Sequence, residues 1–137
     1  MKLYKRYSKI AYNRRLSKRQ QENLKWALSL KPGDIINDCS GFNSIIKEVI
    51  PDVRQTKRGW FIYNVDFIVE PFGGSCSLMH CGIEPALTPE QIENRIREFY
   101  DWCEPHGGWG IKTEKDHTWT RLQQGLPICD ERGVKII

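Results

Sequence analysis

Long apolar runs are missing from this 137-residue chain, and so are the short signatures that most enzymes require. No hydrophobic stretch approaches the roughly 20 residues that cross a bilayer. There is no glycine-rich phosphate loop, no dinucleotide fingerprint, no His-Glu-x-x-His and no Gly-x-Ser-x-Gly elbow. The first residues are basic but lack the apolar segment of a secretory signal, and the five cysteines are odd in number. Reduced thiols in a cytoplasmic setting are therefore expected. Acid is almost absent from one end: residues 1–32 hold ten Lys and Arg against Glu22 alone, whereas the rest holds eleven against sixteen acids. A local charge of +9 thus precedes a body of −5, within a net charge of +4.

What the chain does contain is strand-forming sequence between residues 33 and 83. Residues 59–70 alternate, with Phe61, Tyr63, Val65, Phe67 and Val69 expected on the core face and Trp60, Ile62, Asn64, Asp66 and Ile68 on a mixed one. Pro71-Phe72-Gly73-Gly74 supplies a turn, and residues 74–83 can return as an antiparallel strand. A short strand is expected over Asp34–Asn37 and another from Phe42 to Ile50, ended by Pro51. Residues 54–59 read as a basic hairpin loop.

Two helices flank this region. Ser17 and Gln20 fit a capping box, predicting a helix over 17–31 with Leu24, Ala27 and Leu28 as its apolar stripe and Pro32-Gly33 as its stop. Thr88, Pro89 and Gln91 mark a second start, predicting a helix over 88–104 that buries Ile92, Ile96, Phe99, Tyr100 and Cys103. Residues 107–137 read as irregular, with a strand near Ile111, a helical turn over Thr118–Leu122 and an edge strand from Gly133. The expectation is one α+β domain: a basic arm over 1–16, a helix, an antiparallel sheet or barrel over 33–83, and a second helix.

Lys31-Pro32-Gly33-Asp34-Ile35-Ile36, followed by Gly41, Ile45, Ile46 and Val49, resembles the opening of SH3-like barrels of the KOW and Tudor type. The resemblance covers residues 31–50 and implies a small curled sheet of a kind that often binds nucleic acid or peptides.

Candidate chemistry is sparse. Lys5, Arg6, Lys9, Arg14, Arg15, Lys18 and Arg19, with Tyr4, Tyr7 and Tyr12 among them, pair cations for phosphates with rings for stacking. Arg54, Lys57 and Arg58 add a second basic segment. The bland alternative is a solvated arm. Cys76, Cys81, Cys103 and His106 read as C-x4-C and C-x2-H, a zinc set in principle. Cys76 and Cys81 diverge on a regular strand, however, so buried thiols and no metal or cofactor are expected. His80 or His106 beside Cys81, His117 near Asp116 and Glu114, and the acids Asp34, Asp38 and Asp66 lack an orienting third group or paired motif. Trp109, between Gly108 and Gly110, is the aromatic best suited to contact a ligand.

A short chain, basic at its start, rich in tryptophan and without enzyme motifs, resembles small accessory proteins of T-even-type tailed phages. That resemblance implies a host-takeover or anti-defence protein that acts by binding, in the host cytoplasm. The leading expectation is a non-enzymatic protein contacting nucleic acid or a nucleoprotein through its basic segments. An inhibitor of a host protein and a sequesterer of a small nucleotide are the alternatives, and no membrane partner is expected.

Overall fold

The computed structural model describes residues 16–38, 40–57, 59–71, 73–103 and 117–136. Helix α1 spans Lys18–Ser29, and its start is the expected capping box. The Gln20 amide donates to Ser17 Oγ at 3.2 Å, and the Ser17 amide donates to Gln20 Oε1 at 2.9 Å. Each bond satisfies a donor that the helix start leaves orphaned. Strands β1 (Ile35–Asn37), β2 (Asn43–Thr56), β3 (Gly59–Glu70) and β4 (Ser75–Ser77) follow, then a helical turn α2 (Leu78–Cys81) and strand β5 (Glu84–Pro85). Helices α3 (Pro89–Cys103) and α4 (His117–Gln123) complete the described elements. The strands form one antiparallel sheet in the order β4-β3-β2-β1-β5. This α+β architecture is what the sequence predicts. The order is linear, with β4 and β5 at its edges and no pairing between them to close a barrel.

Three expectations about the strands need correction. First, β2 does not stop at Pro51 but runs on to Thr56, with Pro51 opposite Val65. A proline can continue a strand where its missing N–H would point away from the paired neighbour. Second, Arg54 lies in the strand opposite Phe61, and Thr56 pairs with Gly59, so the basic loop shrinks to two connecting residues. Third, the return strand after Gly74 is only Ser75–Ser77, and residues 78–81 are helical. Asn64 Oδ1 accepts from the Met79 amide at 3.0 Å, capping this turn, and Gly82 ends it at φ 65°. A glycine adopts that left-handed conformation at little cost.

The chain forms two compact units, each described by itself. The first comprises residues 16–34 and 45–84. Here α1 packs on β3 and on α2, placing Leu24 and Ala27 out of solvent. Val65, Phe67 and Val69 are buried as the alternation predicts. Phe61 and Tyr63 are not: they are half-buried, and Ile62 and Asn64 are buried instead. The cause is a bulge. Asp52 pairs with Asn64 and Val53 with Ile62, which leaves Tyr63 without a counterpart and brings Ile62 to the face of Val65 and Phe67, with Phe61 opposite. Asn64, on that other face, is buried with bonds to Ser77 Oγ and the Met79 amide.

The second unit comprises residues 35–44 and 85–136. Its core joins Phe42, Ile92, Ile96, Tyr100, Leu122 and Ile128, with Leu87 and Trp119 packed against it. Full burial of one such aliphatic side chain contributes about 1.5–3 kcal/mol. On α3 the buried stripe is Ile92, Ile96, Tyr100 and Cys103; Phe99, expected inside, is 51% exposed because it lies a position off that stripe. The expected edge strand from Gly133 is reduced to two bridges, Asn43 with Val134 and Cys129 with Lys135.

Asn43 is the polar centre of this unit. Its Nδ2 donates to the Leu87 and Arg132 carbonyls, both at 2.8 Å. Its Oδ1 accepts from the Leu87 amide at 3.1 Å and from Asn37 Nδ2 at 3.2 Å. All four bonding positions of the amide are thus used in a site only 2% exposed. Asp130 shapes the turn that delivers Arg132, accepting from the Arg132 amide at 2.8 Å and the Val134 amide at 3.1 Å. Burial raises the Asp130 pKa, but hydrogen bonds from the Arg132 side chain and these two amides outweigh it and hold the carboxyl below its ordinary range.

The start of α3 also follows the sequence. The Gln91 amide donates to Thr88 Oγ1 at 3.2 Å and the Thr88 amide donates to Gln91 Oε1 at 3.0 Å. Thr88→Ala should lower stability by roughly 1 kcal/mol through loss of this cap. Urea denaturation checks it, and an unchanged midpoint would mean the cap contributes nothing.

Candidate nucleic-acid interface

The far end of the β2–β3 ribbon, within the first unit, gathers cations and rings. Because the bulge at Tyr63 reverses the strand's phase, Phe61 faces away from the side that holds Ile62 and Val65, and Tyr63 is half-buried. Register places Arg54 opposite Phe61, and the Arg54 guanidinium carbon lies 5.1 Å from the Tyr63 ring centroid. At that distance the cation is attracted to the electron-rich ring face. The Phe61 and Tyr63 centroids are 6.4 Å apart, tilted by 58°. Asp52 fixes the guanidinium by one edge: Arg54 Nε donates to Oδ1 at 3.3 Å and Arg54 Nη2 to Oδ2 at 3.0 Å. The hydrogen bond and charge of Asp52 push the Arg54 pKa further up. Arg54 keeps 63% of its side chain exposed, so the pair orients the group more than it stabilises the fold. Lys57 is exposed in the adjoining turn.

Lys18 and Arg19 are exposed in the first turn of α1, which carries no acid. Cations there face the positive end of the helix dipole, a placement that costs the helix some stability. Lys5, Arg6, Lys9, Arg14, Arg15 and Arg58 lie outside the described residues, as do Trp109 and His106.

The remaining candidates are dispersed into structural roles. Cys76 is buried in β4, Cys103 is buried on α3, and Cys81 sits on the helical turn α2 instead of the strand assumed for it. Among the described residues no group of three or more His, Cys, Asp or Glu could hold a metal ion. Burial pushes the Cys129 thiol pKa up, with Asp130 and Glu93 adding to the effect, which keeps that thiol protonated. His80 and His117 are exposed. Asp34 accepts from the Lys31 amide at 2.9 Å, and Asp38 accepts from the hydroxyls of Ser40 and Ser44, so both acids brace their own loops.

Phe61 and Tyr63, which the alternation of the sequence assigns to the core, are half-buried. No residue in β3 signals the bulge, since it is set by how β2 pairs. Comparison with protein-family models, with curated proteins and with solved structures found no match. Among the described residues no helix is long and apolar enough to cross a membrane.

Proposed function

We propose that this protein is a non-enzymatic binder of nucleic acid or of a nucleoprotein, engaging phosphates through its basic N-terminal segment and the β2–β3 ribbon. The observation that carries the reading is the charge distribution: ten cations against one acid in residues 1–32. Like charges packed into a short segment repel and cost stability, so the gain lies outside the fold, and a phosphate backbone supplies it. Lys18 and Arg19 support this, because their place at the start of α1 opposes the helix dipole while a bound phosphate would favour it. Arg54 and Lys57 add exposed cations on a second element. The SH3-like likeness of residues 31–50 belongs to the same proposal, as does an accessory role of the phage type.

A salt titration tests it. Replacing Arg14, Arg15, Lys18 and Arg19 with Gln removes up to four phosphate contacts. The slope of log affinity against log salt on duplex DNA should then flatten by roughly 3 to 4 units. The loss should be alike for unrelated sequences, since phosphate contacts position without specifying. Wild type that binds no oligonucleotide at low salt would end this reading. The basic segment would then be assigned to steering toward an acidic surface on a host protein.

A further inference from the structure

Resting on that reading, we infer that the β2–β3 ribbon is a stacking platform for unpaired nucleobases, so the ligand is a single strand and not a duplex. Phosphate contact alone needs cations, and the ribbon offers more than cations. The bulge at Tyr63 turns Phe61 to the face opposite Ile62, in register with Arg54, and leaves Tyr63 half-buried under the Arg54 guanidinium. A fold stabilised only by burial would do better with Phe61 in the core, because a half-buried phenyl ring forgoes part of its transfer free energy. Asp52 anchors one edge of Arg54 through two hydrogen bonds, which holds the group over Tyr63 and limits its rotamers before any ligand arrives. Preorganisation of this kind reduces the entropy lost on binding.

The chemistry of the platform selects its ligand. Bases in a duplex are stacked on one another, and only their edges and the backbone are presented to a protein. Splayed bases in a single strand expose their faces, which stack on aromatic rings and on guanidinium planes. Phe61 and the Arg54–Tyr63 pair offer surfaces of both types across the β2–β3 ribbon, with ring centroids 6.4 Å apart. Lys57 lies beyond them in the turn, suited to the backbone between successive bases. DNA and RNA share this chemistry, so the source is left to the experiment.

The test uses the full chain with oligo(dT), oligo(U) and a mixed-sequence duplex, each of about 30 nucleotides, at matched salt. Wild type should bind the tighter single strand at least about tenfold better than the duplex, and the ranking of dT and U names the source. The double variant Phe61→Leu with Tyr63→Leu keeps apolar bulk but removes the rings. It should lose about 10- to 100-fold on the single strand, with an unchanged salt slope and unchanged duplex binding. Photo-cross-linking of a 5-bromouracil-substituted strand to wild type should map to Phe61 or Tyr63, a readout that does not depend on the variant folding. Equal affinity for single strand and duplex, or cross-links only elsewhere, would overturn the platform while leaving phosphate binding intact. Failure to bind all three oligonucleotides would overturn the parent reading as well.

Discussion

Gly133→Ala should destabilise the second unit by roughly 2–6 kcal/mol, through two costs that add. Gly133 sits at φ 79°, a conformation that strains an alanine by about 1–3 kcal/mol. A Cβ built there would also lie 2.6 Å from Ile92 Cδ1 and 2.9 Å from Asn43 Cγ, and nearer still to Asn43 Nδ2. Real Cβ atoms do not approach so closely, so the side chains must move. Neither can move cheaply, because Ile92 is fully buried and Asn43 is bonded at every polar position. Overpacking of this kind costs about 1–3 kcal/mol. Gly125→Ala is the control, at φ 71° with nothing within 4 Å of its Cβ, and should show the strain alone. Urea melts of both variants decide the matter. Equal losses would show that crowding around Gly133 contributes nothing.

The second large effect is expected at Asn43. Truncation to alanine removes the partner of the Leu87 and Arg132 carbonyls, of the Leu87 amide and of one N–H of Asn37 Nδ2, whose other N–H keeps the Gly41 carbonyl. Each unsatisfied buried group costs about 1–3 kcal/mol, and some will relax toward water. A loss of roughly 3–5 kcal/mol follows, and a midpoint shift equivalent to less than about 1 kcal/mol would refute the hub. Asn43→Asp makes a sharper test because it keeps the shape. A carboxylate oxygen would then face the two carbonyls that Nδ2 now serves, so burial and repulsion raise its folded-state pKa above the unfolded one. Stability is then greatest in acid, where the group is neutral in both states, and is lost as pH rises past the unfolded value. The difference between wild type and Asn43→Asp should therefore grow from pH 3 toward about pH 7, which thermal melts across that range would show.

These two residues also mark what sequence reading could not supply. The capping boxes at Ser17–Gln20 and Thr88–Gln91 were legible because each closes over three residues, and both form as read. The alternation of β3 was legible over Val65–Val69, where the strand is regular. It misled over Phe61 and Tyr63, because a bulge depends on the partner strand. Pro51 reads as a stop, yet β2 carries it opposite Val65 and runs on to Thr56. Leu78–Cys81 reads as the continuation of the return strand, although the bond that caps it as a helical turn comes from Asn64, far upstream. Asn43 carried no local signal at all: its partners at Leu87 and Arg132 lie 44 and 89 residues away. The charge asymmetry needed no structure, whereas the ribbon platform needed the register.

Pro51 has a consequence for how the protein behaves in company. It stands inside β2, opposite Val65, and its ring nitrogen has no hydrogen to donate. Long strands are templates on which an identical chain can add and seed insoluble ribbons. Any strand laid along β2 at this point would find one donor missing from the row it reads. The residue that reads as the end of a strand is thus the place where an added strand would lose a bond.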